Sequence, residues 1–358
     1  MRKPIRIAGA AGVSALMLLA VGCSGTAGTA KKPGASESVT PAKPLPMKAT
    51  PRQATWTDSD DKAHPLRLTP TRLARGSDSD LSHIRLDDDL QGMVPYYLTF
   101  SYTNTAKSTL SQVDPSRNFS VNGANGEAAQ RVSLFQSNPL ATGSGLPPEC
   151  REGGAAELAA GATSAICQIF MLPKGQSPAT VSYKDDGGDT LIWPVGGAEG
   201  GSKGVLAPDV PADGITEDSR NRPVSLRITP KGVRTGSPAD LGRFDLDADQ
   251  KKMVPYYVTM QYRNSGKYDL LPSMSQGIAL RTAGGQTVKR MLLIDIGGPG
   301  VAKCPEAVPD NMVKPDGVVT ECSIHLLPKG DAPAAVVFTG EGQGAQSVTW
   351  RAQVDGGR

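Results

Sequence analysis

The sequence predicts an all-β protein: two tandem β-sandwich repeats behind a signal peptide and a disordered stalk. Three observations carry that expectation. A set of short motifs recurs in the same order 155 to 160 positions on. The strongest local pattern in each copy is period-two alternation, which puts one strand face to a core and the other to water. After residue 23 no amphipathic helical pattern of useful length occurs. The 358 residues include 41 Gly and 29 Pro, which fits folded modules joined by Gly/Pro-rich connectors.

Arg2, Lys3 and Arg6 precede an uncharged stretch from Ile7 to Val21, followed by Gly22 and Cys23. A basic start, an apolar centre and a small-residue exit are the parts of a secretory signal over 1–22. The apolar stretch is shorter than the ~20 residues a spanning helix needs. Leu19-Ala20-Val21-Gly22-Cys23 resembles the lipobox of bacterial lipoproteins, with Leu one place earlier than the family's usual position. The resemblance implies cleavage before Cys23 and a diacylglycerol on its thiol. Two acyl chains hold a protein stably where one does not. Ordinary signal cleavage is the alternative. The implied address is the extracellular face of the cell membrane, with the bilayer as the partner of Cys23.

Residues 23–61 are dominated by Gly, Ser, Thr, Ala, Lys and Pro, and are expected to be a disordered tether reaching about 35 Å as a flexible coil. Repeat 1 is assigned to 62–196, a linker to 197–221 and repeat 2 to 222–354. Leu66-Arg67-Leu68-Thr69-Pro70 returns as Leu226-Arg227-Ile228-Thr229-Pro230, and Met93-Val94-Pro95-Tyr96-Tyr97 returns as Met253-Val254-Pro255-Tyr256-Tyr257. Asn104 returns as Asn264, Leu172-Pro173-Lys174-Gly175 as Leu327-Pro328-Lys329-Gly330, and Trp193 as Trp350. A period this long marks a duplicated domain rather than a solenoid unit. Tyr96, Leu98, Phe100 and Tyr102 alternate with Tyr97, Thr99 and Ser101. Pro95 and Pro255 stand at the head of the run, where a missing N–H is tolerated. Cys167, Ile169 and Met171 alternate with Gln168 and Phe170 on a second strand, which puts His325 of the second copy on the outward face.

Together these features resemble the immunoglobulin-like domain of unknown function found in many bacterial secreted lipoproteins, a group similar in fold to a small secreted immunogenic antigen. The resemblance implies two immunoglobulin-like sandwiches and an exported address, and no established chemistry.

The remaining cysteines fall two to a repeat: Cys150 with Cys167, and Cys304 with Cys322. In an oxidising compartment both pairs are expected as structural disulfides, each stabilising by roughly 3 kcal/mol on the chain-entropy model. No cofactor is expected. Metal sites are disfavoured, the weak candidates being Asp87 and Asp89 with Asp247 and Asp249, whose loops lack the glycine and distal glutamate of a calcium loop. The outward rings Tyr97 and Tyr257 are candidate partner anchors, because tyrosine is enriched at interfaces. The three histidines, His64, His83 and His325, sit beside no recognisable nucleophile turn. Net charge is +3 with no basic strip, which argues against nucleic acid. The sequence therefore points to a non-enzymatic envelope module that binds another protein or a wall polymer. A metal- or small-ligand receptor using the Asp-rich loops is the alternative, and a cryptic hydrolase the third reading.

Overall fold

The computed structural model describes residues 44–81, 84, 86–132, 150, 154–196, 204–293, 300–305 and 312–355. Cys23, His83 and the segment 1–22, expected to be a signal peptide, lie outside the described residues. The protein is all-β, and the helical turns among the described residues are 3-10 turns of three or four residues.

Repeat 1 contains β1 (Arg52–Thr57), β2 (Ala63–Arg75), β3 (Val94–Asn104), β4 (Leu110–Ser111), β5 (Phe119–Gly123), β6 (Gln130–Arg131), β7 (Glu157–Leu158), β8 (Thr163–Leu172), β9 (Pro178–Lys184) and β10 (Thr190–Pro194). Repeat 2 contains β11 (Val205–Leu206), β12 (Ala212–Glu217), β13 (Pro223–Thr235), β14 (Val254–Asn264), β15 (Ile278–Thr282), β16 (Thr287–Lys289), β17 (Val318–Leu327), β18 (Pro333–Thr339), β19 (Ser347–Arg351) and β20 (Val354–Asp355). One sheet of repeat 1 runs β1-β2-β3-β8-β6 and its partner β10-β9-β5; the counterparts in repeat 2 are β12-β13-β14-β17 and β11-β19-β18-β15-β16. Between the sheets of each repeat lies its own core. Phe100, Phe119, Tyr183 and Trp193 fill the first, and Tyr262, Phe338 and Trp350 the second.

Two expected boundaries move. β1 lies inside the segment expected to be a tether, and Pro44 already bridges Ala74. β11 and β12 lie inside the expected linker and pair with β19 and β13. The reason is visible at the tryptophans. Trp193 Nε1 donates to Thr50 O at 2.7 Å, and Trp350 Nε1 donates to Val210 O at 2.7 Å. A buried indole N–H needs an acceptor, and in both copies the entry segment supplies it. Each repeat therefore begins upstream of its first recognisable motif.

A second surprise is the outer face of the β3 and β14 sheets. Tyr97 and Tyr257 are fully buried rather than outward anchors. Leu81, Leu90, Ile169 and Met171 cover Tyr97, while Leu241, Leu246 and Ile324 cover Tyr257, the disulfide of each repeat joining its cluster. Each phenol donates to the aspartate of a 3-10 turn, Asp80 at 3.0 Å and Asp240 at 2.9 Å. Period-two alternation failed here because loops cover the face that a free sheet would leave wet.

The described residues cluster as one compact unit, and polar contacts join the repeats. Asn122 Nδ2 and Thr180 Oγ1 both donate to Ala283 O, at 3.0 and 2.5 Å, and Ser182 Oγ donates to Gly284 O at 3.1 Å. Thr190 N donates to Lys329 O at 3.0 Å. At the centre of this interface Gly285 has φ +82° and abuts the Asn122 amide, so a side chain there would be strained and would collide. Gly285→Ala is expected to part the repeats while leaving both cores folded: small-angle scattering should show a larger radius of gyration, with strand content by circular dichroism unchanged. An unaltered scattering curve would show that the interface tolerates the methyl.

Candidate functional site

β17 is the last strand of its sheet, paired along one edge with β14 only. Successive side chains point to opposite faces. Val319 and Leu327 join the inter-sheet core, whereas Cys322, Ile324 and Leu326 join the outer cluster. A pocket of about 240 Å³ is lined by Glu321 and Ser323 from the first face and by Cys322 and Ile324 from the second. A cavity touched by both faces must straddle the strand's free edge. Pro272, Ser275, Met291 and Leu292 face β17 across it.

The same strand carries three buried polar side chains at alternate positions, Glu321, Ser323 and His325. Their counterparts in repeat 1, at the offset of 155 fixed by the second cysteine, are Ile166, Gln168 and Phe170. Glu321 accepts hydrogen bonds from Met274 N at 3.2 Å and Ser275 N at 2.7 Å, the first N–H groups of the 3-10 turn Met274–Gly277. In repeat 1 the matching turn is capped from within by Asp114, which accepts from Ser116 N at 3.0 Å. Ser273 stands in that place in repeat 2 and makes no side-chain cap. The capping carboxyl has thus moved from the loop to the strand, where burial raises its pKa against the opposing hydrogen bonds from Ser275.

His325 Nδ1 lies 3.1 Å from Val288 O, and Nε2 lies 2.9 Å from Ser323 Oγ. A carbonyl only accepts, so Nδ1 carries the proton and Nε2 takes the serine hydroxyl. His325 is fully buried rather than outward, and burial pushes its pKa down to about 4. The contact has the outline of a nucleophile and its base. Two features weigh against chemistry. An imidazole held this far down is a poor proton acceptor near neutrality, and its second nitrogen meets a backbone carbonyl instead of a carboxylate. What the site offers is a concave surface of mixed polarity, with the Cys304–Cys322 disulfide, Met291 and Ile324 among its apolar parts and hydroxyl and carboxyl groups on one wall.

The disulfides pair as expected, Cys150 with Cys167 and Cys304 with Cys322. Asp87, Asp89, Asp247 and Asp249 are all exposed. Asp247 Oδ1 accepts from Asp249 N and Gln250 N, and Asp249 pairs with Lys252, so the two carboxylates of repeat 2 serve a local turn. Among the described residues no three His, Cys, Asp or Glu side chains converge as a metal site. His64 pairs with Asp58 at 2.7 Å in the β1–β2 hairpin, remote from the pocket in sequence.

The residues that sequence reasoning missed are apolar ones. Tyr268, Leu271, Leu292, Met312 and Val318 are exposed large hydrophobics, all in repeat 2. Their counterparts in repeat 1 are Ser108, Ser111, Ser133, Glu157 and Thr163. Leu270 bridges Val313, which sets Leu271 beside Met312; Pro272 and Leu292 continue the patch to the pocket mouth. Comparing the copies position by position, rather than only for what they share, would have found it.

The chain matches no family model, and neither a curated protein nor a solved structure matches it. The likeness to immunoglobulin-like lipoprotein domains therefore rests on the residues that carry it.

Proposed function

We propose that the protein is a lipid-anchored, extracytoplasmic and non-enzymatic binding module of the cell envelope, built from two immunoglobulin-like sandwiches, whose receiving surface is the β17 edge of repeat 2. The observation that carries the binding half is the exchange of polar for exposed apolar residues at Leu271, Leu292 and Met312 beside a pocket. An isolated surface leucine needs no explanation, but a contiguous apolar patch marks an interaction site. The anchoring half rests on Leu19–Cys23 and on the unpaired fifth cysteine. A hydrolase is the second reading, favoured by the Ser323–His325 contact and opposed by the depressed imidazole.

Two measurements test the proposal. The mature N-terminus should carry a diacylglyceryl thioether on Cys23 by mass spectrometry, and Cys23→Ser should release the chain from the membrane fraction. An unacylated, soluble wild-type chain would remove the anchor. In-situ crosslinking should then capture the same envelope neighbours with wild-type chain and with Asp87→Asn/Asp247→Asn, and lose them with Leu271→Asp/Leu292→Asp. Loss with the aspartate variant instead would favour the receptor built on the Asp-rich loops.

A further inference from the structure

The apolar patch and the pocket share one feature that neither needs alone: they border a strand edge with no partner among the described residues. In an antiparallel ladder the N–H and C=O of one residue point to the same side, and the side alternates along the strand. Met291 N donates to Ile324 O, so Ile324 points away from β14. Cys322, Thr320 and Val318 must then point the same way. Among the described residues β17 pairs with β14 alone, and no hydrogen bond reaches the outward groups of these three. Exposed edges of this kind template the addition of another strand.

Resting on the binding reading above, we propose that β17 receives an extended apolar segment of a partner protein by strand addition, antiparallel or parallel, along Val318–Cys322. Main-chain hydrogen bonds to the outward groups supply the affinity, and alternate side chains supply the selectivity. One of those side chains enters the pocket between Met291, Ile324 and the Cys304–Cys322 disulfide, a space suited to a single aromatic or branched aliphatic group. Glu321 places little polar demand on it, since both carboxyl oxygens are engaged by the Met274 and Ser275 N–H groups. Residues of the segment beyond the pocket lie over Leu271 and Met312. A lipid chain could fill the pocket but has no donors and acceptors to match the strand edge. A protein segment satisfies both. Repeat 1 differs in the rim and not in the edge: among the described residues β6 pairs with β8 only at Phe170 and Met171, leaving Thr163–Cys167 as open as Val318–Cys322, but the apolar rim is replaced by serines, a glutamate and a threonine.

The test is panning of a phage-displayed library of random twelve-residue peptides against the immobilised full chain, followed by affinity measurement with synthetic copies of the enriched peptides. Thr320→Pro removes one outward N–H without touching the β14 ladder, and proline is tolerated at such an edge. Leu292 is 69% exposed, so Leu292→Asp alters the rim without entering the core. Enriched peptides should carry apolar residues at alternate positions and lose at least ten-fold in affinity to each variant. Bound peptide should slow hydrogen exchange at Thr320 and Cys322. Peptides that bind both variants as well as wild type would overturn the edge assignment while leaving a binding module intact, and so would the absence of any enriched peptide. Protection of Val318–Cys322 in the chain alone, growing with concentration alongside a dimer by sedimentation, would assign the edge to a second copy instead. Protection by anionic phosphatidylglycerol vesicles would assign the patch to lipid.

Discussion

Replacing His325 by Phe is expected to remove about 3 kcal/mol of acid sensitivity from repeat 2. The folded imidazole titrates near 4 because burial penalises its charged form, whereas an unfolded histidine titrates near 6.5. A lowered histidine pKa means that the folded state binds fewer protons than the unfolded state. The stability it allows is fully present above pH 6.5 and is lost as the pH falls from 6.5 to about 4; below that both states are protonated and no more is lost. Each pH unit of that gap is worth about 1.4 kcal/mol. Glu321 and Asp331, whose carboxyl pKa values burial raises, act in the opposite sense and gain stability on acidification, and Asp58 and Asp218, held low by their partners, lose theirs further down. All four are common to both chains and cancel in the comparison. Repeat 1 already carries Phe170 at this position, buried in the same way, so the ring fits the fold. The unpaired Ser323 hydroxyl should cost about 1–3 kcal/mol at pH 7.5. Urea midpoints at pH 7.5, 5.5 and 4.2, read on repeat-2 peptides by pulsed hydrogen exchange, should converge between the two chains as the pH falls. Parallel midpoints would mean that His325 is not a buried neutral base.

The parts of this structure that were legible in the sequence are those where one local rule acts alone. Tyr96, Leu98, Phe100 and Tyr102 alternate into the core as their spacing requires, and the cysteines pair within repeats because duplication leaves two in each. Legibility failed where a second layer intervened. The β3 and β14 sheets are covered on their outer face, so alternation marked Tyr97 and Tyr257 as wet when Asp80 and Asp240 hold them in a second cluster. His325 was misplaced for a different reason: Cys322, Ile324 and Leu326 face the covered outer side, and the alternate positions Val319, His325 and Leu327 face the inter-sheet core, the reverse of the phase expected. The strands at 52–57 and 212–217 were hidden in segments poor in apolar residues because hairpin pairing with β2 and β13, not composition, orders them. The candidate site was the least legible part. Its signal lies in what the copies do not share, and a search for repeats is tuned to what they do.

Asn104→Leu and Asn264→Leu should each destabilise their own repeat by about 3 to 5 kcal/mol, the largest effect expected of any single polar residue here. Each amide is completely buried. Asn264 Nδ2 donates to Tyr268 O at 2.8 Å and Val313 O at 2.9 Å, while its Oδ1 accepts from Gly266 N at 2.9 Å. Asn104 repeats the arrangement with Ser108 O at 2.8 Å, Leu158 O at 2.9 Å and Ala106 N at 2.8 Å. Leucine approximates the shape and supplies none of these bonds, leaving two carbonyls and one N–H without their partner, and each buried unsatisfied group costs about 1–3 kcal/mol. Denaturant unfolding resolved by repeat should show matching losses, and a loss under about 1 kcal/mol in either would mean that water replaces the amide. The two variants should part company in binding. Asn264 ties together the loops that carry Leu271 and Met312, so under conditions where it stays folded Asn264→Leu should also weaken peptide capture at β17. Asn104→Leu, which loosens loops bearing Ser111 and Glu157, should leave capture unchanged. Equal losses of capture in both would place the receiving surface somewhere that the two repeats share.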